Sequence, residues 1–422
     1  MTEMGVSRRA AKGTALVLCT FKSWTESPFW LLCVDLYPIL IAASIPWSTT
    51  AVLVFMGIWL VVLAPTIEWS VFVRSLKQPA YWLPLAFFAI AVAGTLWADT
   101  PWSERMRSVS PLIKFLLLPL LFYHFERSVR GQWVFVAFLV SSIFLMALSW
   151  AVLFVPEWRM TTRGNIEGIA IKNSIDQCYE FSLCIFGLAY YLKTLIDQRR
   201  LVLAALCGSL MVAFFANMMF VVLARTSLVY MPVLLALFCL RHLGARAALA
   251  LVAVAAIVTT GAWFTSSYMR VRINDVSVEY KQYNESHVAK STGQRIEWWG
   301  KSIKFIGAAP VFGNGTGSIR ELFERDSGNA VGIWAEPVRN PHNQTLNVAI
   351  QWGFCGFLIL YAMWFSHVLL FPGRTFVAWI GLIVVVQNFV SSLFNSHLFD
   401  FTEGWIYVIG VGVAGGMIAK TK

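Results

Sequence analysis

Apolar runs of about twenty residues recur along nearly the whole chain, each long enough to cross a bilayer core of about 30 Å as a helix. The stretch 201–240 is twice that length. At roughly 60 Å of continuous helix it cannot stay within one bilayer, so a turn is expected between about Phe215 and Ser227. Only 13% of the 422 residues are charged and 58% are hydrophobic; soluble domains carry roughly 25% charged residues. A water-solvated core does not account for that composition. The expected fold class is all-α, a polytopic membrane bundle with about twelve transmembrane helices. The spans read as 28–46, 50–66, 80–97, 111–124, 132–154, 178–194, 201–222, 226–241, 247–265, 343–370, 376–393 and 403–419.

Basic residues in the short connections orient such a bundle, because Lys and Arg accumulate on the cytoplasmic side. Arg8, Arg9, Lys12 and Lys22 precede the first span, and Arg74, Lys77, Arg127, Arg130, Arg199, Arg200, Arg241, Arg246 and Arg374 fall on the same side. Both termini are therefore expected in the cytoplasm, with 266–342 facing outward between the ninth and tenth spans. The apolar stretch near the N-terminus is short and has no small-residue cleavage site, so it is expected to stay uncleaved. The formal charge of +11 follows from this bias and gives no support to nucleic-acid binding. Seven cysteines, none of them in 266–342, indicate no disulfide framework. One membrane domain over 1–422 with one extracytoplasmic insert is the expected organisation.

The insert carries ten basic and eight acidic side chains, a near balance that suits a small folded piece. A helix is expected from about Gln294 to Ile306, with Trp299, Ile303 and Ile306 on one face. Ser318 and Glu321 have capping-box spacing for a second helix, with Ile319, Leu322 and Phe323 on its apolar side. Between them Gly313, Gly315 and Gly317 form a loop with two readings. It is a tight turn that needs positive φ, or a cradle of backbone N–H groups for phosphate.

Asn340 and Pro341 read as a helix start, which puts His342, Asn343 and Gln344 in the first turn of a membrane helix. The positive end of a helix dipole favours neutral imidazole, and neutral imidazole accepts a proton from an attacking hydroxyl. The alternative is an interfacial histidine that satisfies loop carbonyls. Arg225 interrupts an apolar stretch, where arginine costs roughly 2.5–3.5 kcal/mol, so it has a structural partner or grips an anion. Arg295, Arg163 and Lys172 are further outer cations. Asp35, inside the first span, suits a hydrogen-bonded structural role. His397 and Asp400 sit in the last outer loop without an assigned role. No Asp-x-Asp, His-Glu-x-x-His, Cys-x-x-Cys or Walker A motif occurs, so no metal site, thiol redox chemistry or ATP-driven transport is expected.

"HNQTLNVAIQWGFCG", after a large outer loop and at the start of a late membrane helix, resembles the bacterial O-antigen ligase and polymerase superfamily. His342, Asn343, Gly353 and Gly356 fill the ligase signature at its spacing. A second pattern, Arg-x-x-x-Leu, is met imperfectly, since Leu228 follows Arg225 at three residues and Val229 at four. The resemblance implies transfer of a glycan from an undecaprenyl-pyrophosphate-linked O-antigen donor to a lipid A–core oligosaccharide acceptor at the periplasmic face, without cofactor, metal or ATP. It implies His342 as catalytic residue and Arg225, Arg295, Arg163 and Asn343 as substrate-binding residues. The O-antigen polymerase, which extends the lipid-linked glycan, is the alternative within the superfamily. A lipid or polysaccharide transporter is the alternative outside it.

Overall fold

A computed structural model describes residues 24–25, 27–160, 168–286, 290–328 and 338–420. All regular structure among them is helical: α1 (Pro28–Ser44), α2 (Thr49–Leu63), α3 (Trp69–Ser75), α4 (Pro79–Ala93), α5 (Trp102–Val109), α6 (Leu117–Phe125), α7 (Gln132–Phe154), α8 (Ser174–Asp197), α9 (Leu201–Phe220), α10 (Ser227–His242), α11 (Ala245–Thr265), α12 (Ser267–Ser286), α13 (Ser291–Ala308), α14 (Ser318–Ser327), α15 (Gln344–Leu369), α16 (Phe376–Ser391) and α17 (Phe401–Ala419). Several starts are written locally. The side-chain oxygens of Ser27, Ser48, Asn173 and Thr375 each accept an N–H from the first turn that follows, and Pro28 and Pro79 take first helical positions whose N–H has no intrahelical partner.

The break expected in 201–240 lies between Phe220 and Ser227. The expected span count is not reached. Seven helices among the described residues are long and apolar enough to cross a membrane, or up to eight if the pair α3 and α4, bent by 87°, counts as one. The shortfall has physical causes. Pro28–Ser44, Ser227–His242 and Phe376–Ser391 are 17, 16 and 16 residues long, short of the roughly 20 that a perpendicular crossing needs. Helix α8 carries Asp176, Glu180, Lys193 and Asp197.

Helix α17 is the axis of the bundle: 83% of its apolar window is buried, against 6% for α11 at the periphery. Its glycines let neighbouring backbones approach, as small residues do in membrane helix contacts. A Cβ at Gly412 would lie 2.6 Å from Leu121, and one at Gly416 would lie 2.7 Å from the Phe122 carbonyl. Midway along α1, Asp35 accepts from Ser128 Oγ (2.6 Å) and Arg130 (2.9 Å) and lies 2.9 Å from His124 Nε2. Those contacts give it the structural role its position suggested.

The segment before α15 differs in detail from its expected form. On α13 the buried face is Ser302 and Phe305, with Trp298 and Ile306 against the same cluster, while Ile303 is 65% exposed. The capping box does not form. Ser318 is already helical, Gly317 precedes it at φ +87°, and the buried Ser318 hydroxyl has no hydrogen-bond partner. Ile319 and Phe323 are buried as expected.

The glycine loop is a turn against α15. Asn314 and Gly315 donate their N–H groups to the Ile350 and Gln351 carbonyls, both at 2.9 Å, and Gly317 N–H donates to Gln351 Oε1 at 2.8 Å. With those donors taken, no cradle is left for phosphate. The partner surface is a kink in α15 at Gly353, where φ is +57° and ψ −150°. A Cβ there would lie 2.4 Å from the Val311 carbonyl oxygen. Gly353 thus answers a backbone requirement as well as a place in the signature.

Ion pairs fasten the segment to the 98–105 connection. Arg325 meets Asp99 at 2.7 Å, while Arg320 and Arg339 meet Glu104 at 3.2 and 3.0 Å.

Candidate active site

Helix α15 begins three residues later than its Asn340–Pro341 pair suggested. Asn343 is the cap: extended at φ −155°, it accepts the Leu346 N–H on Oδ1 at 3.1 Å. Its Nδ2 donates to the Leu393 carbonyl at 2.9 Å. Both ends of its amide are engaged in holding the helix start. Asn340 instead closes a turn, accepting the His342 N–H at 2.9 Å and the Ser396 hydroxyl at 2.7 Å. That competing side-chain acceptor ends the chance of a helix at Pro341.

The turn leaves His342 at φ +52°, which among non-glycine residues of the described chain only Arg199 matches. Such a conformation costs about 1–3 kcal/mol and persists where surroundings over-determine it. Here the surroundings are Asn340, the Trp299 indole N–H donating to the Pro341 carbonyl at 3.0 Å, and Gln344 N–H donating to the Ser392 carbonyl at 2.8 Å.

The half-buried imidazole is oriented by two contacts. Trp298 stacks on it, with centroids 5.4 Å apart and planes at 24°. Its Nδ1 lies 2.7 Å from Asn395 Oδ1, and Asn395 Nδ2 donates to Asp400 Oδ2 at 2.8 Å. The Asp400 carboxylate accepts, so the Asn395 nitrogen faces it and the Asn395 oxygen faces His342. Nδ1 therefore carries the hydrogen, and in the neutral ring the lone pair is on Nε2. Burial holds the His342 pKa below its usual 6.5, the positive charge of Arg295 pushes the same way, and the Asn395 hydrogen bond opposes both. Neutral imidazole with a free Nε2 is the form a general base requires.

The cations divide into two kinds. Arg225, between α9 and α10, is gripped bidentately by Glu279 (2.9 and 3.0 Å) and also donates to the Arg272 carbonyl at 3.2 Å. The guanidinium that favoured a bound anion on sequence grounds thus has a structural partner. Thr292 donates to Glu279 through its N–H and its hydroxyl, at 3.1 and 2.6 Å. Burial pushes Glu279 up, but hydrogen bonds from Arg225 and Thr292 win and bring its pKa down to about 2. This knot fixes the start of α13.

Arg295 lies one turn along α13, three residues before Trp298. It has no hydrogen bond or ion pair among the described residues. Burial and the neighbouring charge of Arg225 hold its pKa below the usual value, so the guanidinium is short of a counter-charge. Arg163 lies outside the described residues. Lys172 is tied to the Ile45 carbonyl and to Thr402 Oγ1 (2.8 Å) at the start of α17.

Asn395 escaped sequence reading and Asp400 was given no role there, because nothing in the chain announces the contact of Asn395 with His342, 53 residues away. Beneath them His397, Asp400 and Glu403 bring one ligand atom each within 4.8 Å of one another, a grouping able to hold a cation. Sequence motifs gave no such site, since the three are spread across a loop and a helix start.

Residues 210–361 match the protein-family model for O-antigen ligase. That stretch, about a third of the chain, is similar to the O-antigen ligase family, and the match supports the resemblance to the O-antigen ligase/polymerase superfamily. The matched stretch contains Arg225, Arg295 and His342, whereas the partners Asn395 and Asp400 lie beyond it. No curated protein matches the chain.

Proposed function

We propose that the protein is an O-antigen ligase that transfers a glycan from undecaprenyl pyrophosphate to the lipid A–core oligosaccharide on the periplasmic side of the inner membrane. The observation that supports the reading is His342, its Nε2 open and its pKa held below the usual value, near the Arg295 guanidinium, which has no partner among the described residues. His342 Nε2 takes the proton of an acceptor hydroxyl as its oxygen attacks the anomeric carbon. The bond from that carbon to the pyrophosphate oxygen breaks, and the electron pair leaves on the pyrophosphate. Arg295, with Arg163, meets the developing charge. Arg225 positions Arg295 through Glu279 and Thr292. Attack opposite the leaving group inverts the anomeric centre. The ligase signature from His342 to Gly356 favours ligation over polymerisation. The 266–342 segment faces outward in this reading, which puts the base on the side where both lipids are presented.

The direct test is transfer by purified protein from a lipid-linked glycan to rough lipopolysaccharide, with and without EDTA. Product in both arms is expected. No product on the core acceptor would reject the assignment, and loss of product with EDTA would reject the metal-independent route and point to His397, Asp400 and Glu403.

The acid limb of kcat/KM is a second check. The base works deprotonated, so activity rises with pH through the His342 pKa, and the midpoint is expected below 6.5. Arg295→Gln removes a charge that lowers this pKa, so the midpoint moves up. Asn395→Ala removes a hydrogen bond that raises it, so the midpoint moves down. Shifts in the same direction would separate the limb from His342.

A further inference from the structure

A cavity of about 140 Å³ opens beside the His342 turn, bounded by α5, the start of α14 and the first turns of α15. Cavities of about 150 Å³ admit a six-membered ring such as benzene, and the wall of this one mixes apolar surface with charged and amide groups. Arg107, Arg320, Arg339 and Glu104 line it, with Asn347, Gln351 and Phe399 among the other lining residues. Arg320 and Arg339 both share Glu104 at 3.0–3.2 Å, and Arg107 approaches it only to 4.0 Å. Glu324 neutralises Arg320 from outside at 2.6 Å. Among the described residues these three guanidiniums meet two carboxylates, and Arg107 is the one of the three without a close partner.

We propose that this cavity is a subsite for one sugar ring of the acceptor, bearing an anionic group that Arg107 and Arg339 bind. The inference rests on the transferase reading for the word acceptor. Its chemistry stands on the wall itself: amide, guanidinium and carboxylate groups for ring hydroxyls, an aromatic face for ring carbons, and the Arg107 guanidinium for a phosphate or carboxylate. Asn340 ties the subsite to the chemistry, because it lines the cavity and also accepts the His342 N–H. A ring seated there is held by the same turn that positions the base. The lipid diphosphate is left to Arg295, on the Trp298 side of the imidazole.

The test is titration of the purified protein with delipidated, phosphorylated core oligosaccharide, read by calorimetry in detergent. The Arg107 side chain is 67% exposed, so Arg107→Ala can be made without unfolding the bundle, and Arg339→Gln serves as a second variant. Each is expected to weaken binding about ten-fold, roughly one charge-assisted hydrogen bond, with the KM for the lipid-linked donor unchanged. Arg295→Ala is expected to leave oligosaccharide affinity alone. Dephosphorylated oligosaccharide losing the same ten-fold identifies phosphate as the anion, and carboxyl-reduced oligosaccharide losing it identifies a sugar acid. Unchanged affinity in both arginine variants, or a loss confined to donor KM, overturns the subsite. Binding needs no turnover, so a protein that binds the oligosaccharide without transferring glycan refutes the ligase reading and leaves this one standing.

Discussion

Replacing His342 by alanine is expected to lower transfer by about 10²–10⁴-fold, the usual loss when a general base is removed, with membrane level and folding retained. Retention follows from the geometry. The side chain is half-buried and makes one hydrogen bond and one stacking contact, a loss of about 1–2 kcal/mol, whereas the turn is held by Asn340, Trp299 and Gln344. His342→Gly is the sharper variant. At φ +52° glycine adopts the backbone without penalty, so it restores stability that alanine does not, yet lacks the base equally. Added imidazole has a slot between Trp298 and Asn395 and is expected to return part of the activity to the glycine variant. Near wild-type turnover in both variants would reduce His342 to a structural residue.

The parts of this molecule that sequence made legible are those with short-range causes. Apolar length and the break before Ser227 follow from bilayer thickness, and the positive φ at Gly313, Gly315 and Gly317 from glycine's missing Cβ. Where two local rules compete, the chain alone does not say which wins. Asn340 and Asn343 are both good caps, and the choice fell to Asn343 because Ser396 and the His342 N–H occupy the Asn340 oxygen. The capping box at Ser318 lost to Gly317, whose N–H is held by Gln351 of α15. Arg225 was read as a candidate anion grip, but Glu279, 54 residues away, is its partner, which leaves Arg295 as the open cation. Charge and spacing singled out the candidate residue types. Pairing across the fold decided which of them are free.

Deletion of the protein is the experiment with the largest contrast, because it separates ligation from polymerisation by product and not by degree. Both activities need an outward site for a lipid pyrophosphate, so Arg295 and Arg225 do not discriminate between them. The acceptor does. A ligase presents its base to a core sugar, and its loss is expected to leave bare lipid A–core while full-length glycan accumulates on undecaprenyl pyrophosphate. A polymerase presents its base to another lipid-linked repeat, and its loss leaves single repeats that an intact ligase still attaches to the core. Gel separation of extracted lipopolysaccharide reads the difference directly. Complementation with the His342→Ala chain is expected to reproduce the deletion pattern, which ties the phenotype to chemistry and not to absence of the protein. Core bands carrying one repeat in the deletion strain would overturn the ligase reading. They would also fix the role of the His342 turn as a base for chain extension.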